Sequence, residues 1–156
     1  MNNNLKEITI VLIAYKSAIK IKRFVKNIPS LVKILIIDNS KFCNLKKIFK
    51  NKKNVKIYFK KNEGYGSSIN YASKIIKTEY FLIVQPDVIG IKKTSLLSFY
   101  KYAKILKDKF AVIGPHFKNA SKRGHYQTSL KYKIKEIHNV HGSTMFFNKK
   151  IFDKNG

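Results

Sequence analysis

The stretch that decides the fold is Ile8-Thr9-Ile10-Val11-Leu12-Ile13-Ala14, a run of seven residues without a charged side chain. A strand with one face in water would alternate apolar and polar residues. This run does not alternate, and it is rich in β-branched residues, which is typical of a strand buried on both faces of a parallel sheet. Four later runs of similar character predict strands at Lys33–Ile37, Val55–Phe59, Tyr80–Val84 and Phe110–Ile113.

Amphipathic helices are predicted between these strands. After the first strand, apolar residues recur at helical spacing, with Ser17 as a candidate N-cap and Pro29 at the end of the pattern. A short basic helix is predicted at about 45–50. Two longer helices are predicted, one after the Asn62–Gly66 loop and one marked by Leu96, Tyr100, Ala103 and Leu106.

The rhythm of strands and helices changes after Pro115. Residues 116–127 are polar and loop-like, and Val140–Phe147 is predicted to be a late strand. The alternation that precedes this change predicts an α/β fold with a mostly parallel central sheet flanked by helices. No interdomain linker is visible, so residues 1–156 are predicted to form a single domain.

The chain is strongly basic, with 33 lysine and arginine residues against 8 aspartate and glutamate residues and a formal net charge of +25. This charge favours polyanionic partners, either nucleic acid or an anionic membrane surface. Only Arg23 and Arg123 are arginines, however, and bidentate recognition of bases and phosphates prefers arginine. Lysines are spread over the whole chain, which a compositional drift of the source genome explains at least as well. A non-catalytic basic protein that binds nucleic acid or an anionic membrane is therefore the alternative interpretation, with nucleic acid the less favoured partner.

Several classes of protein and site are excluded by the sequence. The one cysteine, Cys43, cannot form an intramolecular disulfide, and the four histidines lack zinc-ligand spacing. No G-x-x-x-x-G-K-[ST] sequence is present, which excludes a P-loop, and no apolar run reaches the about 20 residues of a membrane helix. A lone cysteine and the lack of a signal-peptide pattern predict a cytoplasmic location, with a peripheral position at the inner face of the membrane as a further option.

Polar residues collect where the predicted strands end. Ligands of open α/β sheets bind at the carboxyl ends of the strands. The segments that the sequence places there are Ala14-Tyr15, Asp38-Asn39-Ser40, Asn62–Gly66 and Gln85-Pro86-Asp87. Two of the eight acidic residues of this basic chain, Asp38 and Asp87, fall at such strand ends. The sequence therefore predicts a binding site at this edge of the sheet.

Each of these segments has a functional and a purely structural interpretation. The Asn62–Gly66 turn leads into a helix whose N-terminal N–H groups favour a phosphate, yet its glycines also suit an ordinary tight turn. It is not a dinucleotide fingerprint, because Ile69 stands where the last glycine belongs. Asp38 either accepts a hydrogen bond from a base or ribose or caps the next helix. Asp87, which follows Pro86, is either a ligand for Mg²⁺ or Mn²⁺ or part of a Pro-Asp turn.

Taken in their order along the chain, these motifs resemble family 2 glycosyltransferases of the GT-A fold, and they look closest to the rhamnosyltransferase-like branch. Four strand-end motifs and one later segment carry the resemblance, namely Ile10–Tyr15, Ile36–Ser40, Asn62-x-Gly64-Tyr65-Gly66-x-x-x-Asn70, Gln85–Val88 and Val140–Lys150. The likeness covers about residues 7 to 152. It implies a GT-A (Rossmann-like) sandwich.

The resemblance also implies a site for a nucleotide-diphosphate sugar and its metal ion. Asp87 would be the ligand of Mg²⁺ or Mn²⁺. The nucleobase pocket would be lined by Ala14, Tyr15 and Asp38, and the nucleotide side of the cleft would be shaped by Asn62, Gly64, Gly66 and Asn70. The implied reaction is an inverting transfer of the sugar to a hydroxyl of a glycan or lipid-linked acceptor, in the synthesis of a surface polysaccharide or glycan.

The chain departs from the family pattern in two places. Gln85 stands where the family has an asparagine before Pro-Asp, although the aspartate is kept. The chain also stops at Gly156, about where relatives begin a Gly-Phe-Asp-Glu-like stretch that precedes an acidic pair with the catalytic base. Asp153 lies before this point and is not taken as the base. We therefore expect a donor-binding part that is truncated at its C-terminus, with no catalytic residue assigned.

Overall fold

The computed structural model describes residues 2–40, 44–115 and 140–155; Cys43 and the predicted loop at 116–127 lie outside these ranges. Its centre is a six-stranded sheet with the order β3-β2-β1-β4-β6-β5. Strands β1 to β4 run parallel to one another, and β6 is antiparallel to its neighbours β4 and β5. The strands are β1 Ile8–Ala14, β2 Lys33–Asp38, β3 Val55–Phe59, β4 Tyr80–Val84, β5 Val112–Ile113 and β6 Thr144–Asn148.

Helices connect the strands and cover the sheet. They are α1 Ala18–Lys26, α2 Leu45–Ile48, α3 Tyr65–Ile75, α4 Lys93–Leu106 and α5 Lys149–Asn155, with 3-10 turns at Asn2–Glu7 and Lys107–Lys109. The α/β architecture predicted from the sequence is confirmed. Ser17 occupies the N-cap position of α1, but its side chain makes no capping hydrogen bond. The single domain spanning residues 1–156 stays a prediction.

Two apolar layers, one on each face of the sheet, explain why the first strand does not alternate. Ile10 and Leu12 of β1 belong to a core that also includes buried residues of α1 and α4. Val11 belongs to a second core on the opposite face, with Ile69 and Ala72 of α3. Successive side chains of a strand point to opposite faces, so each one meets a helix layer. The result is a helix–sheet–helix sandwich.

Aromatic rings secure β6 inside the sheet. Phe146 is fully buried and stacks on Tyr80 and Phe99, with ring centroids 5.4 and 5.2 Å apart. Phe147 points to the opposite face and stacks on Phe81 at 4.9 Å. Such pairs add roughly 0.5–1.5 kcal/mol beyond the area that they bury. The antiparallel strand is therefore held on both faces.

An ion-pair cluster lies at the start of β4, at the end of that strand remote from its carboxyl end. Lys104 Nζ lies 2.8 Å from Glu79 Oε2 and 3.4 Å from Glu7 Oε2, and it sits over the rings of Tyr80 and Tyr100. Partial burial lowers the pKa of Lys104, but the hydrogen bond to Glu79 and the nearby negative charges outweigh it and hold that pKa above its ordinary value. Burial and the hydrogen bond to Glu79 raise the pKa of Tyr80 to about 12. The cluster ties α4 to the first turn of the chain.

Among the residues that the structure describes, none of the helices is long and apolar enough to cross a lipid bilayer.

Candidate functional site

The parallel strands deliver four chain segments to one edge of the sheet. In the registers of the sheet, Ala14 at the end of β1 lies opposite Asp38 at the end of β2, and Leu12 lies opposite Val84 at the end of β4. A cleft of about 290 Å³ opens at this edge. Its lining comes from the ends of β1, β2 and β4, from the turn before α3 and from the first turn of α3. It comprises Ile13, Tyr15, Asn39, Asn62, Gly64, Tyr65, Ser68, Gln85, Pro86 and Asp87.

One wall of the cleft is fixed by a buried pair of polar side chains. Asn39 Nδ2 donates to Ser68 Oγ at 2.9 Å. Ser68 Oγ also lies 3.2 Å from Asn39 Oδ1, to which it can donate. Ser68 Oγ lies 3.2 Å from the carbonyl of Gly64, to which it can donate instead. Both side chains are almost fully buried, where an unsatisfied polar group would be costly. The pair therefore locks the first turn of α3 against the end of β2.

The turn that precedes α3 depends on its first glycine. Gly64 has φ +98° and ψ 164°, a region that is essentially restricted to glycine. Its N–H donates to Asn62 Oδ1 at 3.3 Å, so the asparagine side chain supports the turn. Gly66 differs in its backbone, because it lies within the helix and does not have a positive φ. A Cβ at either glycine would meet nothing within 4 Å. The lack of a side chain at Gly66 leaves open space beside the helix N-terminus.

Substitution of the two glycines is expected to have opposite effects on stability. Gly64→Ala should destabilise the fold by roughly 1–3 kcal/mol, because alanine is strained at this φ and ψ. Gly66→Ala should stabilise it by roughly 0.5–1 kcal/mol, because alanine is the better helix residue and has room. Urea denaturation of the two variants measures both values. A neutral Gly64→Ala, or a destabilising Gly66→Ala, would contradict this account of the turn.

The turn also contains a carboxylate, Glu63, whose negative charge is balanced by an ion pair. Lys60 forms an ion pair with Glu63, and Ser67 Oγ donates to the same carboxylate at 3.3 Å. The hydrogen bond from Lys60 holds the pKa of Glu63 below its ordinary value. The helix N-terminus therefore keeps its N–H groups and favourable dipole for an anion, without an uncompensated carboxylate next to it.

Asp38 does not line the cleft, whereas its neighbour Asn39 does. The Asp38 side chain is buried, and its Oδ1 accepts hydrogen bonds from Ser40 N at 2.9 Å and Ser40 Oγ at 2.7 Å. It thus shapes the turn that follows β2. The described lining of the cleft contains Asn39 and not Asp38. Successive side chains point in opposite directions at a strand end, so two adjacent residues such as Asp38 and Asn39 cannot both face the cleft.

Asp87 is the carboxylate that lines the cleft. It stands in the loop after β4, with its side chain 58% exposed, and its Oδ2 lies 3.6 Å from Lys20 Nζ. An exposed ion pair of this kind is worth only about 0–1 kcal/mol, so the lysine is readily displaced. Within the described ranges, no cluster of three or more histidine, cysteine, aspartate or glutamate side chains could hold a metal ion. A cation at Asp87 would therefore take its other ligands from phosphate oxygens and water, as Mg²⁺ commonly does.

The far side of the cleft is joined to the entrance of β6. Tyr65 Oη donates to the carbonyl of Gly142 at 3.3 Å, and burial raises the pKa of the Tyr65 hydroxyl. Gln85 N donates to the carbonyl of Ser143 at 2.9 Å. Ser143 Oγ and His141 Nδ1 lie 2.8 Å apart in the same turn. The 141–143 turn, predicted as part of a strand, thus contacts the cleft, and β6 begins only at Thr144.

Four of the site residues predicted from the sequence line the cleft, namely Tyr15, Asn62, Gly64 and Asp87. The other four do not appear in its described lining: Ala14, Asp38, Gly66 and Asn70. Asn70 is exposed on α3, and Ala14 is buried at the end of β1. Sequence reasoning did not single out Asn39, Tyr65 or Ser68 as site residues. The position of Asn39 at a strand end was a usable signal, whereas the contact between Ser68 and Asn39 joins residues 29 apart and left no local pattern.

The arrangement of a mostly parallel sheet between helix layers is that of the GT-A glycosyltransferases. A mannosyltransferase from Pyrobaculum calidifontis, solved with GDP-Man and Mn²⁺, is similar over 96% of this chain, with a TM-score of 0.74 and 11% identity. TarS of S. aureus, solved with UDP-GlcNAc, is similar over 95% of this chain, with a TM-score of 0.69 and 17% identity. Glucosyl-3-phosphoglycerate synthase from Mycobacterium tuberculosis, solved with UDP, is similar over 96% of this chain, with a TM-score of 0.62 and 11% identity. The GT-A fold predicted from the sequence is confirmed.

The chain itself belongs to a family of unknown function, DUF6492, whose model matches residues 2–144. No protein of curated function matches it in sequence. It covers 46%, 47% and 60% of the mannosyltransferase, TarS and synthase chains, so it spans about half the length of the structures that it resembles.

Proposed function

We propose that this chain binds a nucleotide-diphosphate sugar and is the donor-binding part of a glycosyltransferase. One observation carries the proposal: the cleft at the carboxyl edge of the sheet combines an exposed carboxylate, Asp87, with a glycine turn at a helix N-terminus. Three structures of similar fold hold GDP-Man with Mn²⁺, UDP-GlcNAc or UDP. These ligands support the same class of donor here.

The residues of the cleft suit the parts of such a donor. Tyr15 is 57% exposed and offers a ring against which a nucleobase can stack. Asn62 offers an amide group for base or ribose. Asn39, whose amide is bonded to Ser68, forms part of the cleft wall, and Asp38 shapes the turn that holds Asn39. The α3 N-terminus faces the same space, with Gly66 leaving room for a phosphate to approach. The proposed nucleotide-sugar-binding residues also include Asn70, on the exposed face of α3, and Ala14, buried at the end of β1.

Asp87 is the proposed ligand of Mg²⁺ or Mn²⁺. A divalent cation bound there would offset the negative charge that develops on a diphosphate leaving group. From the resemblance to family 2 glycosyltransferases, we further propose a rhamnosyltransferase-like enzyme. It would transfer the sugar, with inversion at the anomeric carbon, to a hydroxyl of a glycan or lipid-linked acceptor. Its product would be a surface polysaccharide or glycan, made in the cytoplasm. We assign no catalytic base to the described residues.

Isothermal titration calorimetry with nucleotides tests the proposal. UDP, TDP and GDP should each be titrated with and without Mn²⁺, with UMP as the matched ligand that lacks the second phosphate. We expect at least one diphosphate to bind at least tenfold more tightly with Mn²⁺, and UMP to show no such gain, because a cation held by Asp87 would offset the charge of the second phosphate. Failure of all three diphosphates to bind, or equal gains for UMP, would overturn the proposal.

A further inference from the structure

Two isoleucines stand out on the surface of the protein. Ile19 on α1 is 82% exposed and Ile89 in the loop after β4 is 88% exposed, the two highest values among the exposed large apolar residues of the described chain. A single exposed apolar residue is ordinary, whereas two at one place indicate an interaction surface.

Ile89 lines a groove, and Ile19 is next to Lys20, which lines the same groove, in the sequence. The groove has a volume of about 130 Å³ and runs between α1 and the loop at residues 86–91, which includes Ile89. Lys20 and Arg23 of α1 form its opposite side, and Lys20 Nζ reaches across to Asp87 Oδ2 at 3.6 Å. Ile19 precedes Arg23 by one helical turn, so both lie on one side of α1. Ile19 therefore stands on α1 beside two residues of the groove, and Ile89 stands on the loop across from them.

This surface is strongly basic. Residues 16–27 carry five basic side chains and no acidic one, and residues 85–93 carry Lys92 and Lys93 against one carboxylate, Asp87, which pairs with Lys20. The basic side chains of both segments are exposed: Lys16, Lys20, Lys22, Arg23, Lys26, Lys92 and Lys93. Apolar tips surrounded by lysines match the two layers of an anionic membrane, acyl chains below and phosphate groups above.

We propose that this surface, defined by Ile19, Ile89 and the seven basic side chains around them, docks the protein on an anionic lipid bilayer. Charge complementarity selects the bilayer, and the isoleucines distinguish it from nucleic acid, since an exposed isoleucine adds little to a phosphate contact. Six of the seven basic residues are lysines, which bind phosphate as point charges and read no base. The docking does not depend on the proposed function. Because the groove shares Pro86 and Asp87 with the cleft, the cleft would lie next to the lipid surface.

Co-sedimentation with lipid vesicles tests this docking surface. The protein should be mixed at 150 mM NaCl with vesicles of phosphatidylcholine alone and with vesicles that contain 30% phosphatidylglycerol. The variant Ile19→Ser/Ile89→Ser removes both apolar tips and no charge. The matched control is Ile105→Ser, which removes an isoleucine that is 59% exposed on α4. Thermal melting checks that every variant is folded.

We expect the protein to bind the anionic vesicles at least tenfold more tightly than the neutral ones. The double variant should lose at least tenfold of that affinity, because burial of one isoleucine in lipid alone can change a partition constant by roughly tenfold. The control should stay within twofold. No preference for anionic vesicles, an unchanged double variant, or an equal loss in the control would overturn the proposal. Binding of a single-stranded RNA that exceeds vesicle binding and is unchanged in the double variant would also overturn it.

Discussion

Asp87→Asn is expected to remove the gain in nucleotide-diphosphate affinity that Mn²⁺ provides, while the fold stays intact. The amide keeps the shape of the side chain and removes the charge that a hard cation requires. The side chain is more than half exposed, and its contact with Lys20 at 3.6 Å is an exposed pair, so little stability depends on it. We expect at least a tenfold loss of affinity with Mn²⁺, about 1.4 kcal/mol, and no change without it.

Two controls make this result specific to Asp87. Asp108→Asn removes a carboxylate of nearly equal exposure, 57%, that pairs with Lys150 near the end of α4. It should leave the effect of Mn²⁺ unchanged. Lys20→Met removes the cation that competes for Asp87, and metal-dependent binding should be retained or strengthened. If Asp87→Asn keeps the full effect of Mn²⁺, or if Asp108→Asn loses it equally, the metal ligand is not Asp87.

Phe146→Ala is expected to be strongly destabilising, at roughly 3–5 kcal/mol in the free energy of unfolding. The side chain is fully buried and its ring stacks on both Tyr80 and Phe99, so its removal leaves a cavity between the sheet and α4. Small domains are stable by only about 5–15 kcal/mol, so this loss is a large part of the total. Guanidinium chloride or urea denaturation, followed by circular dichroism, measures it.

The matched control for this prediction is Phe59→Ala. Phe59 ends the edge strand β3 and is 59% exposed, so the same truncation removes little buried surface. We expect a change below about 1 kcal/mol, in the range typical of surface positions. Equal losses for the two variants would mean that β6 is not packed into the core in the way described.

The strands were predictable because burial on both faces leaves a mark in the sequence. The boundaries of β1, β3 and β4 matched the prediction, and those of β2 did so to within one residue. The position of β6 between β4 and β5 was not predictable, because it depends on pairing Phe146 with Leu82, which are 64 positions apart. Of the predicted fifth strand, Phe110–Ile113, only Val112 and Ile113 pair with β6.

The location of the candidate site was predictable, and its individual side chains were predictable only in part. Strand ends in a parallel sheet must share an edge, so Tyr15, Asn62 and Asp87 could be placed together from their order alone. The choice between Asp38 and Asn39 depends on the direction in which each side chain leaves the strand end, which is a matter of one residue. No pattern in the sequence specifies that direction once the strand has ended.

The late arrival of β6 has a consequence for synthesis of the protein. β4 pairs with β1 on one side, but its other edge is covered only when Thr144–Asn148 has been made. At a translation rate of roughly 5–20 residues per second, the interval between Val84 and Asn148 lasts about 3–13 seconds. During that time the chain Tyr80-Phe81-Leu82-Ile83-Val84 presents an unpaired apolar edge, which other chains can extend. We therefore expect aggregation and chaperone binding to concentrate on the nascent chain at this stage.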